Sequence, residues 1–139
     1  MALTGYQIEL IESSFQSVKF GNASFSARFY SNLFQAFPEY KPLFVHDQKK
    51  QEYKFAMIIQ ELSTYLHTPN RLNRSLQHLG IRHRHLSLHA ADFENVGQIF
   101  IKTIAEVMGS EWSPELGVAW LELYTIASDE MQKFCLPAA

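Results

Sequence analysis

From Arg71 to His89 the chain reads RLNRSLQHLGIRHRHLSLH, and within it Leu72, Leu76, Leu79, His83 and Leu86 recur at steps of four, three, four and three. That is the spacing of one stripe down an α-helix. The stripe is apolar except at His83, so one imidazole is directed where its leucine neighbours are directed, inward. A buried imidazole needs partners for its ring nitrogens. Two readings stay open on these residues: a core histidine bonded to a backbone carbonyl, or a metal ligand.

The rest of the chain has the same period. Thr4 and Gln7 form a capping box before a stripe of Ile8, Ile11, Phe15 and Val18, which Gly21 and Asn22 are expected to stop. A second helix is expected from Ala23 to Phe37, with Phe25, Phe29 and Leu33 on one face and Tyr30, Phe34 and Phe37 on the next; Pro38 ends it. The corner from Pro38 to Lys50 allows at most one helical turn and carries one apolar ring, Phe44. A helix from about Lys49 to His67 buries Phe55, Ile58, Ile59, Leu62 and Leu66, and Gln51 shares the Phe55 face. Thr68 and Pro69 open the His83 helix, which is weakened by Gly80 by about 1 kcal/mol relative to alanine. Gly80 also permits close backbone approach. Asp92 is expected to cap a helix bearing Phe93, Val96, Phe100, Ile104 and Val107, closed by Gly109. Ser113-Pro114-Glu115 then starts a last helix with Trp120, Tyr124, Ala127, Met131 and Phe134, ending near Pro137. No β alternation, repeat or linker interrupts this series. The fold class is all-α, with helices packed on several faces of one core and residues 1–139 forming a single domain.

Composition narrows the function. Eleven phenylalanines suit a generous core or a pocket for a flat apolar ligand; on the metal-ligand reading of His83, its wall of leucines makes a heme iron the candidate. A net charge of −2 gives no electrostatic case for nucleic acid or a membrane surface. No apolar run approaches the ~20 residues of a membrane span, and the N-terminus lacks a signal pattern. A soluble cytoplasmic protein is the expectation. Cys135 is the single cysteine, which excludes an intrachain disulfide and a thiolate cluster. No CxxCH is present, so any heme is held without thioether links.

Tyr30 in FYSNLF, Pro38 in FPEYKPLF, Phe44, Gln51 in QKKQEYKFAM, His83 in LGIRH and the segment GSEWSP…AWLELY from Gly109 to Tyr124 occur in a fixed order. This ordered set resembles the globin family over nearly the whole chain. It is most similar to bacterial single-domain globins and the heme domain of flavohemoglobins, and LGIRH and AWLELY are also similar to neuroglobins. The resemblance implies a globin fold of six to eight helices around non-covalent heme b, iron protoporphyrin IX. It implies that His83 is the proximal iron ligand and that Phe44 packs on the heme. Tyr30 and Gln51 become the distal residues that meet bound gas. Phe55, Leu79, Phe93 and Val96 line the pocket, and Lys54 lies near a propionate.

On that basis the first expectation is a reversible binder of O2, CO, NO or sulfide at five-coordinate iron, serving as oxygen transporter, scavenger or sensor. The second is a nitric oxide dioxygenase that needs an outside reductase, since the chain stops at Ala139 without a flavin module. Against it, flavohemoglobins direct a tyrosine and a glutamate at the proximal histidine, and these positions align with Phe93 and fall near Cys135. The third is a heme-free interaction domain of globin-like fold. Among the other histidines, His85 is expected to face solvent, and it pairs with His89 as a metal face only if the helix continues. His46 and Lys54 are candidates for a sixth iron ligand. His67 and His78 show no partner pattern. Oligomeric state is not legible.

Overall fold

The computed structural model describes residues 2–20, 23–44 and 47–135. Among the described residues there are six α-helices and no strand. They are α1 (Gly5–Val18), α2 (Ala23–Ala36), α3 (Gln48–Ser63), α4 (Pro69–Arg82), α5 (Ala90–Met108) and α6 (Pro114–Cys135). Short 3₁₀ turns occupy Pro38–Leu43, Arg84–Leu86 and Gly109–Glu111. The all-α expectation holds. None of these helices is long and apolar enough to cross a membrane.

Local chemistry explains most of the boundaries. Thr4 and Gln7 make the reciprocal capping box at the start of α1. The helix closes on Lys19 in the left-handed region (φ 56°); the expected stop at Gly21 and Asn22 lies outside the described residues, as does Pro137. Ser113 Oγ accepts from the Leu116 N–H at the start of α6.

Four expectations need correction. The corner holds a six-residue 3₁₀ helix, Pro38–Leu43, where at most one turn was expected; proline at its first position needs no N–H partner. The helix through Gln51 ends at Ser63, because Thr64, Tyr65 and Thr68 bond back three residues and tighten into turns. Thr68 stands at the N-cap of α4, but its side chain caps nothing. The N-cap of α5 is His89, not Asp92; Asp92 sits three residues on, and its Oδ2 accepts from the His89 N–H at 2.8 Å.

The buried side chains form two clusters. The larger one centres on rings: Phe20 lies 4.6 Å from Phe25 and 5.3 Å from Trp120, centroid to centroid. Edge-on and tilted contacts of this kind add about 0.5–1.5 kcal/mol each beyond burial. The Trp120 indole N–H donates to Ser14 Oγ, so the largest buried side chain leaves no polar atom unpaired. The smaller cluster is Leu72, Leu76 and Leu79 of α4, packed on Ile58 and Leu62 of α3 and Leu123, Ala127 and Met131 of α6.

The helix pairs that approach most closely include α4 with α6, α2 with α3 and α5, and α1 with α6, while α3 meets α4 less closely, through Ile58 and Leu62. Two glycines set the close crossings. A Cβ at Gly80 would lie 2.5 Å from the Met131 carbonyl oxygen, and one at Gly97 would lie 2.5 Å from the Tyr124 ring. Close approach at Gly80 is what the sequence suggests. It seats the end of α4 on α6.

Candidate functional site

Everything distinctive about His83 follows from its place at the end of α4. The helix stops at Arg82, earlier than the leucine spacing indicates, and His83 is its C-cap (φ −93°, ψ −3°). Leu86 falls in the 3₁₀ turn that follows, half-buried and outside the leucine cluster of α4. The half-buried His83 ring directs Nδ1 at the Leu79 carbonyl, 2.6 Å away. A carbonyl oxygen only accepts, so Nδ1 carries the proton and Nε2 keeps a free lone pair. No described residue hydrogen-bonds to Nε2. The following turn is pinned as well: Arg84 Nε donates to the Phe134 carbonyl of α6 at 2.6 Å.

Tyr30 and Gln51 meet although they come from different helices. Gln51 Nε2 donates to the Tyr30 hydroxyl oxygen at 3.0 Å. Tyr30 is 3 % exposed, and no described residue accepts its O–H hydrogen. Burial pushes its hydroxyl up to about 12, against a smaller lowering by the Gln51 bond. The phenol is therefore a neutral donor across ordinary pH.

Aromatic rings surround this pair. Phe44 and Phe55 lie 5.2 and 5.7 Å from the Tyr30 ring. Phe55 is half-buried against Phe29 at 4.8 Å. Leu79 and Phe93 are buried and Val96 half-buried. Lys54 is exposed, and with Asp47, Lys50 and Gln51 it lines a hollow of about 240 Å³. A second hollow of about 130 Å³ opens between α3 and α4, lined by Ile58, Glu61 and Leu62 on one side and Ser75, His78, Leu79 and Arg82 on the other.

The remaining histidines divide differently from the sequence expectations. His85 is exposed as expected, but the chain leaves the helix before His89, so the two-histidine face does not form. Among the described residues no group of three metal-ligating side chains comes together. His67 has a partner that spacing did not show: its Nε2 lies 3.2 Å from Glu12 Oε1. His46 lies outside the described residues.

Sequence reasoning also missed two ties under the site. The Tyr124 hydroxyl donates to the Phe93 carbonyl at 2.5 Å. The Tyr40 hydroxyl donates to Asp92 Oδ1 at 2.6 Å and accepts from Asn95 Nδ2 at 3.0 Å, fastening the corner to the start of α5. The Tyr40 bond, and after it the His89 N–H, holds the Asp92 carboxyl below its usual range. A tyrosine and an acid far apart in the chain give no periodic signal.

The donor set suits a heme. His83 offers one imidazole nitrogen with its tautomer fixed from behind, as metal-bound histidines are. Tyr30 offers a buried O–H without an acceptor. Both hollows are smaller than a typical ligand pocket of about 300–1,000 Å³. A flat macrocycle would have to part side chains between α3 and α4, which meet through Ile58 and Leu62 against the leucines of α4.

Comparison with known proteins agrees. The family model described as Globin matches residues 27–131. The chain is 28% identical over 130 residues to a flavohemoprotein of Bacillus cereus, covering 91% of this chain and 32% of the relative. It is 29% identical over 143 residues to Leghemoglobin-1 of Lupinus luteus, covering 93% of this chain and 90% of that protein. It is 27% identical over 125 residues to Flavohemoprotein B of Dictyostelium discoideum, covering 88% of this chain and 29% of the relative. The chain thus spans about a third of the length of the flavohemoproteins it matches. With the match extending from α2 into α6 across every residue of the site, the chain belongs to the globin family, and so to the heme proteins that bind gaseous ligands.

Proposed function

We propose that this protein binds heme b non-covalently through His83 Nε2 and reversibly takes up O2 or another small gas on the opposite side, in the cytoplasm. The observation that carries this reading is the 2.6 Å bond from His83 Nδ1 to the Leu79 carbonyl. It fixes the tautomer with Nε2 unprotonated, and the polarised N–H makes the imidazole a better electron donor. When bound, the heme would supply the iron that takes up the gas, with His83 as the residue that holds it. Phe44, Phe55, Leu79, Phe93 and Val96 provide apolar walls, and Lys54 a cation for a propionate.

On the ligand side the chain contributes a hydrogen-bond donor. Gln51 occupies the Tyr30 oxygen, which leaves the Tyr30 hydrogen to a partly negative acceptor. Such a bond is worth about 1.5–3 kcal/mol, or roughly tenfold to a hundredfold in affinity. The surrounding rings keep water from competing for it.

Nitric oxide dioxygenase activity is the second reading, and the flavohemoprotein relatives favour it. By the resemblance, Phe93 aligns with the tyrosine that flavohemoglobins direct at the proximal histidine, and His83 is bonded to a neutral carbonyl, not a carboxylate. Both features favour a reversible binder. Absorbance spectra of the ferric, ferrous and CO forms test the heme reading: a Soret band that shifts with CO supports it, and a bare protein spectrum overturns it. Nitrate yield from the oxygenated protein plus NO and a reductase decides between the first reading and the second.

A further inference from the structure

We propose that the arginine-bearing flank of α4 is the docking surface for an acidic electron-carrier protein, which delivers one electron to a heme ligated by His83. This rests on the heme reading above.

Charge is segregated in this chain. Between Glu61 and Asp92 there are four arginines and no acid, while the rest of the chain has eight Lys and Arg against fourteen Asp and Glu. A chain with net charge −2 therefore concentrates positive charge on one segment. On α4, Arg71, Arg74, His78 and Arg82 follow at steps of three, four and four, and all are exposed. At 100° per residue they share an arc of about 80°. That arc borders the buried leucine stripe on the side turned toward α3.

These cations are uncommitted. The side chains of Arg71 and Arg74 make no ion pair or hydrogen bond with any described residue. Arg82 has only a long contact of 3.5 Å from Nε to the His78 carbonyl. Arg84 is excluded from the surface because it is tied to Phe134. One acid, Glu61, faces the patch from α3. Exposed side chains without internal partners lose little when a partner engages them, and they steer an oppositely charged protein at a distance.

Position selects the kind of partner. The hollow between α3 and α4 opens at His78 and Arg82 and is floored by Leu79, the residue whose carbonyl holds the His83 imidazole. A protein seated there lies within one residue's depth of the proximal ligand. That proximity is of no use to a nucleic acid or a lipid, but it shortens the path for an electron. The reaction balances simply. A reduced one-electron centre, flavin or iron–sulfur, loses one electron, ferric iron gains it, and no proton or bond has to move. A weak, salt-screened contact also suits a carrier that must leave after each delivery.

The test uses a reduced plant-type [2Fe–2S] ferredoxin, an acidic carrier, mixed anaerobically with the ferric heme-loaded protein in stopped flow. The variant is R71Q/R74Q/R82Q; the control is K19Q/K41Q/K102Q, exposed cations elsewhere that change the net charge equally. At low salt the arginine variant is expected to be reduced at least about tenfold more slowly, with a flattened salt dependence, and the control within about twofold of the parent. Calorimetry with oxidised ferredoxin reads the same loss in affinity without electron transfer. Equal rates for the arginine variant and the parent, or equal slowing in the control, overturn the proposal. So does arginine-dependent sedimentation with phosphatidylserine vesicles while ferredoxin binding is unchanged. A protein without a heme band before mixing overturns the heme reading and this proposal together; a heme band with arginine-independent reduction overturns this proposal alone.

Discussion

Replacing Tyr30 by phenylalanine removes one oxygen from a buried ring and leaves its packing intact. Tyr30 is 3 % exposed and its ring contacts Phe29, Phe34, Phe44 and Phe55, none of which involves the hydroxyl. The bond lost within the protein is the one from Gln51 Nε2 at 3.0 Å. Gln51 is half-buried, so water replaces that acceptor and the cost to stability is about 0.5–1.5 kcal/mol. The cost to ligand binding is larger, because the freed Tyr30 hydrogen is the donor to a partly charged acceptor, worth about 1.5–3 kcal/mol. O2 dissociation from Tyr30→Phe should be at least about tenfold faster, and up to roughly a hundredfold. Gln51→Leu should raise the rate by less, since it removes the group that occupies the tyrosine oxygen and leaves the hydroxyl in place. Stopped-flow displacement of O2 by CO measures both. A Tyr30→Phe rate within about twofold of the parent would show that the hydroxyl does not face the ligand, whatever else holds.

Gly80→Ala brings a Cβ to 2.5 Å from the Met131 carbonyl oxygen, so α4 must move off α6. The helix-propensity gain of about 1 kcal/mol is outweighed by an overpacking cost of about 1–3 kcal/mol against immobile backbone, and thermal melting should show a lower Tm. Ser26 Oγ is buried without a hydrogen-bond partner, so Ser26→Ala should leave urea-denaturation stability unchanged or raise it; a clear loss would reveal a partner. Asp92 titrates below its usual 3.8 in the folded chain, so its contribution is present above about pH 4 and lost as pH falls through the lowered value. Asp92→Asn should therefore flatten the stability profile below pH 4, read by chemical denaturation at stepped pH. Tyr30 titrates above its usual 10.0, near about 12, so its contribution is full below pH 10 and lost as pH rises from there through 12; Tyr30→Phe should be less sensitive to alkali over that interval.

The helices were legible because apolar spacing is dense in this chain, and the caps at Thr4 and Ser113 carry their own chemistry. Boundaries slipped where two geometries share a spacing. The run through Leu86 satisfies both an α-helix and an α-helix followed by a 3₁₀ turn, and what ends α4 is packing on α6 through Gly80 and Arg84. His89 is an unusual N-cap, so Asp92 three residues later was the stronger local signal. At the site, periodicity directs His83 inward but does not identify what its ring touches, because every residue has a carbonyl; Leu79 emerged only with the fold. Tyr30 and Gln51 are 21 positions apart on separate helices, and family resemblance, not spacing, brought them together. The cationic flank of α4 lay in view as a run without acids, though whole-chain net charge conceals it.

Most rests on the lone pair of His83 Nε2. The decisive measurement is the CO-difference spectrum of the reduced, heme-titrated protein beside that of His83→Gly, with and without added imidazole. The parent should give a sharp Soret difference, the variant should lose it, and free imidazole should restore it by taking the vacated position. A variant that takes up heme and binds CO as the parent does, with no imidazole present, would show that iron is held by some other side chain.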